Sequence, residues 1–259
     1  MGGALVGGLL ASGFATPDQI AVVEPMAERR AELALEFPGV ATHDVPVAGL
    51  LAESDRPAGA VLAVKPDAAE GACRVLGAVG VTRVLSIVAG IPCQRLEAAL
   101  GGQPPVVRAM PNTPALVGAG ATAISGGSFA TSGDLDWAEK IMAAVGSVVR
   151  LPERLLDPVT GLSGSGPAYF FLVAEAMIEA GVQMGLTRDV SRGLVVDTML
   201  GSAKLLAETG QEPADLRAMV TSPAGTTAAG IRALESRAVR SAFMEAVAAA
   251  TERSRALIR

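Results

Sequence analysis

Thr221, Ser222, Thr226 and Thr227 place four hydroxyls within one short run, Val220-Thr221-Ser222-Pro223-Ala224-Gly225-Thr226-Thr227. The run reads as a loop between two helices that leads into a helix over 228–234. Its hydroxyls and free N–H groups then form an anion site matched to a small carboxylate. Ordinary helix capping accounts for one or two such hydroxyls and poorly for four. No acid–base dyad accompanies the run. His43, the only histidine, follows a strand and reads as a surface-loop residue, and neither Cys73 nor Cys93 has a base in sequence context to activate it. Such a site suits a reaction that needs positioning more than proton shuttling. Hydride transfer to an electrophilic C=N bond is one, since proximity can supply up to roughly 7–11 kcal/mol of the barrier reduction.

A second site is implied at the start of the chain. A helix over 4–11 opens on Gly2 and Gly3, and in a parallel sheet the N–H groups at such a helix start hold a pyrophosphate. The strand that ordinarily precedes this turn is absent, and no Gly-x-Gly-x-x-Gly follows a strand, so the motif by itself is weak. Glu24 stands at a strand end about twenty residues after the glycines. It reads either as a ligand of the adenosine ribose hydroxyls or as an exposed strand-end acid. Glu24 argues against a 2′-phosphate, whereas Arg29 and Arg30 either accept one or are solvated helix-face charges.

The elements that must position these groups fall into two halves. Strands read at 20–23, 60–64, 84–88, 106–108, 121–124 and 147–150, with helices at 28–36, 68–79, 93–100 and 135–145. Strands alternating with helices imply a parallel, doubly wound sheet. Beyond Glu153 the β-branched runs stop. Thr187 caps a helix to about residue 208, Gly210 ends it, Pro213 suits the first turn of the next, and a last helix runs over 237–257 with Arg253, Arg255 and Arg259 near its end. Residues 168–184 are apolar on nearly every side, broken only by Glu175, Glu179 and Gln183. Such a helix is buried, and a helical domain this small has few partners of its own to cover it, so at least a dimer is expected. Small residues at 163–166 would admit a close backbone or a flat ligand.

Composition removes other classes. The chain has 259 residues, half of them apolar, enough for two domains and a substantial core. A net charge of −5 without a basic run, with one Trp, one Tyr and six Phe, lacks the footprint of a nucleic-acid binder. The apolar, glycine-rich start has no signal-peptide context and is too short to span a membrane. Two cysteines in unrelated contexts suggest neither a disulfide nor a metal site, and a reducing, cytoplasmic setting fits best.

Four runs carry a resemblance: Ala63-Val64-Lys65-Pro66, Arg108-Ala109-Met110-Pro111-Asn112-Thr113-Pro114, Leu162-Ser163-Gly164-Ser165-Gly166-Pro167-Ala168-Tyr169 and Thr221-Ser222-Pro223-Ala224-Gly225-Thr226-Thr227. In order and spacing, over essentially the whole chain, it resembles the pyrroline-5-carboxylate reductases. The second and fourth runs are specific to that family, and the first is shared more loosely among Rossmann reductases. The resemblance implies an α/β Rossmann-type N-terminal domain over 1–152, its first strand missing, and an all-α dimerisation and substrate domain over 153–259. Dimers of this family often assemble further, commonly into rings of five. The implied reaction is reduction of L-1-pyrroline-5-carboxylate to L-proline by NADPH or NADH, the last step of proline biosynthesis.

Carried over residue by residue, the substrate sits at the dimer interface with its carboxylate on Ser222, Gly225, Thr226 and Thr227. Thr227, the expected catalytic residue, hydrogen-bonds the ring nitrogen. Met1, Gly2, Glu24, Ala63, Val64, Lys65, Pro66, Val88, Ala89, Asn112 and Glu153 are implied at the cofactor, with residues 110–114 bordering the nicotinamide.

Three departures stand out. Only Met1 and Gly2 of the family's opening glycine turn are present. Loss of two or three phosphate-facing N–H bonds, at roughly 1.5–3 kcal/mol each, would weaken cofactor binding about 10²- to 10⁶-fold, so the sequence reads as one that starts late or is shortened. Ala224 replaces the usual glycine, harmless only if φ is negative. An Asn that often contacts the cofactor is replaced near Asp44-Val45. Two other readings stand beside the reductase. A β-hydroxyacid-type dehydrogenase wants a catalytic lysine, and Lys204 lacks that motif's context. A non-catalytic, cofactor-impaired oligomeric homologue fits the missing strand.

Overall fold

Short apolar runs bounded by glycine, proline and aspartate turns make the strands. β1 (Ala21–Val23) and β2 (Ala41–His43) pair in parallel as a sheet of their own, Val22 opposite Thr42. A second sheet holds β3 (Gly59–Leu62), β4 (Arg83–Ser86), β5 (Val106–Met110), β6 (Gly120–Gly126) and β7 (Gly146–Arg150), in that order. The structure is a computed structural model and describes residues 1–46, 59–102 and 104–257. These form two units, one of Met1–Ser165 with the chain from Ala248 onward and one of Gly166–Val247.

In the first unit the helices α1 (Gly2–Ala11), α2 (Ala27–Glu36), α3 (Pro66–Ala78), α4 (Cys93–Ala99) and α5 (Ser132–Ala143) cover the sheets. Local chemistry sets their starts. Pro66 occupies the first turn of α3, and Thr131 caps α5 in a reciprocal box with Asp134. The core has three parts. Leu5 and Leu9 of α1 join Leu85, Val107, Ile124, Ile141, Met142 and Val145. Leu62, Ala69, Cys73, Val84, Leu96 and Val106 form the second part. Leu33, Phe37 and Val40 form the third, against Val6, Leu10 and Val22. Thus α1 packs one face on each sheet.

Two expectations need correction. The larger sheet is not all parallel, because β5 and β6 pair antiparallel, with Ala109 opposite Ile124. The cause is the connection: residues 111–119 hold only a 3₁₀ turn, Thr113–Val117, closed by Gly118 at φ +72°. A parallel return needs a longer crossover. His43 also does not follow a strand but ends β2, opposite Val23, and its Nε2 is buried without a hydrogen-bond partner.

After the single turn α6 (Leu156–Val159) and a π turn at Thr160–Gly164 come α7 (Gly166–Gln183), α8 (Arg188–Thr209), α9 (Pro213–Met219), α10 (Thr226–Glu235) and α11 (Val239–Leu257). Arg259 lies outside the described residues. Thr187 caps α8 by accepting from the Val190 N–H, and Gly210 ends it at φ +63°, as the sequence implies. The apolar α7 is not covered by its own chain: Phe170, Phe171 and Leu172 are each more than 60% exposed.

The approach of α1 to the larger sheet is close enough to test. A Cβ on Gly8 would stand 2.5 Å from Val145 Cγ1 and 2.8 Å from the Ala144 carbonyl oxygen. In urea unfolding, Gly8→Ala is expected to lose about 1–3 kcal/mol. Gly71→Ala, in α3 with open space around it, is expected to gain up to about 1 kcal/mol.

Candidate functional site

Strands β3, β4 and β5 run parallel, so their C-terminal ends share one edge, where ligands of α/β sheets bind. Ala63, Val64, Lys65 and Pro66 follow β3, Val88 and Ala89 follow β4, and Asn112 follows β5. The start of α1 is at this edge, since a Cβ on Gly2 would lie 3.4 Å from the Ala63 Cβ. Glu24 follows β1, and the Arg29 guanidinium from α2 comes within 3.5 Å of where a Gly3 Cβ would be. Met1, Gly2, Glu24 and the turn after β3 are thus gathered around the mouth of α1. Its first-turn N–H groups have no intrahelical acceptor, and glycine leaves the backbone bare there. These features fit the phosphates of a dinucleotide.

Two expected cofactor residues have partners within the protein. Asn112 Oδ1 accepts from the Ala121 N–H at 2.9 Å, and its Nδ2 donates to the Ser163 carbonyl at 3.1 Å. Asn112 therefore fixes the turn after β5 to the π turn at 160–164. In the same place a Cβ on Gly164 would meet Met110 Cε at 2.7 Å, so the neighbour that Gly164 admits is Met110. Glu153 is tied to the start of α4, just past the loop that carries Val88 and Ala89. It follows β7, whose last residue, Arg150, pairs with Ile124 and so stands level with Ala109 near the end of β5. Its Oε1 accepts from the Cys93 N–H at 2.8 Å and from Arg108 Nη1 at 3.2 Å. Arg108 is 3% exposed, and removing Glu153 would leave that charge buried and unpaired. Sequence reasoning missed this pair because the two residues meet only through the antiparallel turn of the sheet.

The hydroxyl-rich loop belongs to the second unit. α10 begins at Thr226, two residues earlier than the sequence reading, so Thr226 and Thr227 occupy its first turn and Gly225 is the N-cap. The Gly225 N–H donates to the Ser222 carbonyl at 3.1 Å. This closes a turn in which the Ser222 hydroxyl lies against the Gly225 Cα, in the space a side chain would fill. Thr221 takes no part, because its hydroxyl donates to the Arg217 carbonyl at 2.6 Å, back along α9. Ser222, Thr226 and Thr227 are left beside the first-turn N–H groups, with Thr227 half-buried and the other two exposed. Ala224 adopts φ +59°, the left-handed region that disfavours a side chain. The methyl at this position is therefore strained.

Burial pushes the Cys73 thiol up to about 11. Burial first, and then the neighbouring Glu153 carboxylate, push Cys93 up further. Both thiols are buried and belong to the packing. Lys204 is exposed and faces Glu208 at 3.7 Å.

Comparison with known proteins shows the family and the fold. A family model described as pyrroline-5-carboxylate reductase dimerisation matches residues 153–257. The chain is 42% identical to the pyrroline-5-carboxylate reductase of Synechocystis, covering 99% of this chain and 94% of the relative. It is 43% identical, with the same coverage, to that of Methanosarcina acetivorans. Among solved structures, a pyrroline-5-carboxylate reductase from Coxiella burnetii superposes with TM-score 0.90 at 37% identity, over 99% of this chain and 94% of that one. The Plasmodium falciparum pyrroline carboxylate reductase with NADP bound gives 0.86 at 30% identity, over 100% and 95%.

Two outcomes follow from the loop and the thiols. Ala224→Gly relieves the positive φ and is expected to raise stability by about 0.5–1 kcal/mol in urea unfolding at fixed protein concentration. Cys73 and Cys93 are expected to resist a maleimide near neutral pH while the protein is folded and to react once it is unfolded, as mass spectrometry would record.

Proposed function

The chain belongs to the pyrroline-5-carboxylate reductase family, and we propose that it reduces L-1-pyrroline-5-carboxylate to L-proline, the last step of proline biosynthesis, on the loop at 222–227. It is an oxidoreductase acting on a C=N bond and uses NADPH or NADH. The observation that carries the placement is the mouth of α10, where Ser222, Gly225, Thr226 and Thr227 surround first-turn N–H groups. A helix N-terminus dressed with hydroxyls stabilises an anion without a fixed cation, which suits a small ring acid.

On this proposal Ser222, Gly225 and Thr226 hold the carboxylate, and Thr227 holds the ring nitrogen. When bound, the reduced nicotinamide supplies a hydride, and one hydride and one proton together turn C=N into CH–NH. A threonine hydroxyl is too weak an acid to be the proton source near neutral pH. Thr227 therefore orients the nitrogen, and the proton comes from the already protonated imine or from water. Met1, Gly2 and the turn Ala63-Val64-Lys65-Pro66 hold the dinucleotide phosphates, Glu24 its adenosine ribose, and Val88 and Ala89 line it. Asn112 and Glu153 serve it through the chain they fix, Asn112 at the turn after β5 and Glu153 at the 87–93 loop.

Residues 1–152 form the dinucleotide-binding domain in this proposal and 153–259 the dimerisation and substrate domain. Two copies associate through the helical part, which bears the family's dimerisation match, and such dimers assemble further into rings of five. A cytoplasmic location without nucleic-acid or membrane partners completes it. No helix among the described residues is long and apolar enough to cross a membrane.

Thr227→Ala is expected to lower kcat/KM for the imine acid by about ten- to a hundredfold, the worth of one hydrogen bond to a charged group, with the oligomer unchanged by light scattering. Thr227→Ser should restore most of the rate. Unchanged turnover in Thr227→Ala would remove this role.

A further inference from the structure

We propose that Glu24 makes this chain prefer NADH to NADPH. The inference rests on the reductase reading and concerns which dinucleotide it uses. In a parallel α/β sheet the adenosine ribose lies at the carboxyl end of the strand after the glycine turn, here the end of β1 and the mouth of α2. That mouth already holds a negative charge of the chain's own: Glu24 Oε1 accepts from the N–H of Met26, the N-cap of α2, at 3.0 Å. A 2′-phosphate would need the same place.

The two nearby cations are committed. Arg30 Nη1 donates to the Glu24 and Pro25 carbonyls, at 2.8 Å each, and so ties down the turn that carries Glu24. Arg29 pairs with Glu32 at 2.6 Å. Glu28 and Glu36 lie on the same helix, so four carboxylates face two guanidinium groups between residues 24 and 36. A phosphate there meets like charge with no uncommitted cation on β1 or α2. A free 2′-hydroxyl instead donates to the second oxygen of Glu24.

Initial rates with the imine acid, run with each dinucleotide, test this. NADH is expected to exceed NADPH in kcat/KM by at least about tenfold, the effect of one like charge a few ångströms away near a protein surface. Glu24→Gln keeps an acceptor for the Met26 N–H and removes only the charge, so it is expected to move the ratio toward NADPH by about tenfold. Adding Glu32→Ala, which frees Arg29, should move it further. A wild-type preference for NADPH, or a ratio unmoved by Glu24→Gln, overturns the proposal. Fluorescence titration of both dinucleotides separates it from the reductase reading. Tighter NADH binding without imine turnover sinks that reading and keeps this inference, and equal binding, or none, sinks this inference.

Discussion

The first unit depends on a single helix lying against two sheets at once. Leu5 and Leu9 of α1 enter the core of the five-stranded sheet, while Val6 and Leu10 pack with Leu33, Phe37 and Val40 beside the two-stranded one. Each fully buried leucine is worth about 1.5–3 kcal/mol, but that burial is reached only if the helix backbone comes close. Glycine makes this possible: Gly7 meets the Phe37 ring, and Gly8 leaves no room for a side chain against Val145. The same closeness sets the direction of α1. Its N-terminus therefore opens beside Ala63 and Arg29, and the free N–H groups of its first turn stand where strand ends deliver the remaining candidate ligands.

The second unit obeys the opposite constraint. Its helices carry far more apolar surface than one chain can cover. Phe170, Phe171, Leu172, Leu194 and Leu200 are each more than 55% exposed, beyond the scattered single residues usual on a monomer. A second copy offers the same surface in return, as a two-fold interface requires, and the dimerisation match spans these helices. Oligomerisation thus gives this apolar surface its cover.

Much of this was legible in the sequence. Strand and helix positions in the first half followed β-branched runs and their breakers, and Thr187, Gly210 and Pro213 marked helix ends where the structure has them. The hydroxyl-rich run lies at a helix mouth, as its capping residues suggested, with Thr226 and Thr227 in the first turn of α10. What stayed hidden was non-local or a matter of pairing direction. The antiparallel step at β6 turned on the brevity of 111–119, and the partners of Asn112 and Glu153 lie 51 and 60 residues away. Thr221 matched the other hydroxyls by type, and only the register of α9 showed it bonded backwards to Arg217. His43 misled because three residues are a short strand by any pattern.

On the proposed reading, the loop asks for no acid–base pair. An imine is already electrophilic, and protonation makes it more so, leaving the protein to fix one angle and one distance. A rigid helix mouth does that better than a long charged side chain, whose rotamers must be ordered on binding. Gly225 lets Ser222 fold against it, and α10 holds Thr226 and Thr227 on one turn, so the proposed anion site needs no ordering by a ligand. The strained Ala224 lies within this turn. A backbone kept in a costly conformation persists only where the surroundings over-determine it. Here those surroundings are the Gly225–Ser222 bond and the start of α10, the two features that shape the proposed carboxylate site.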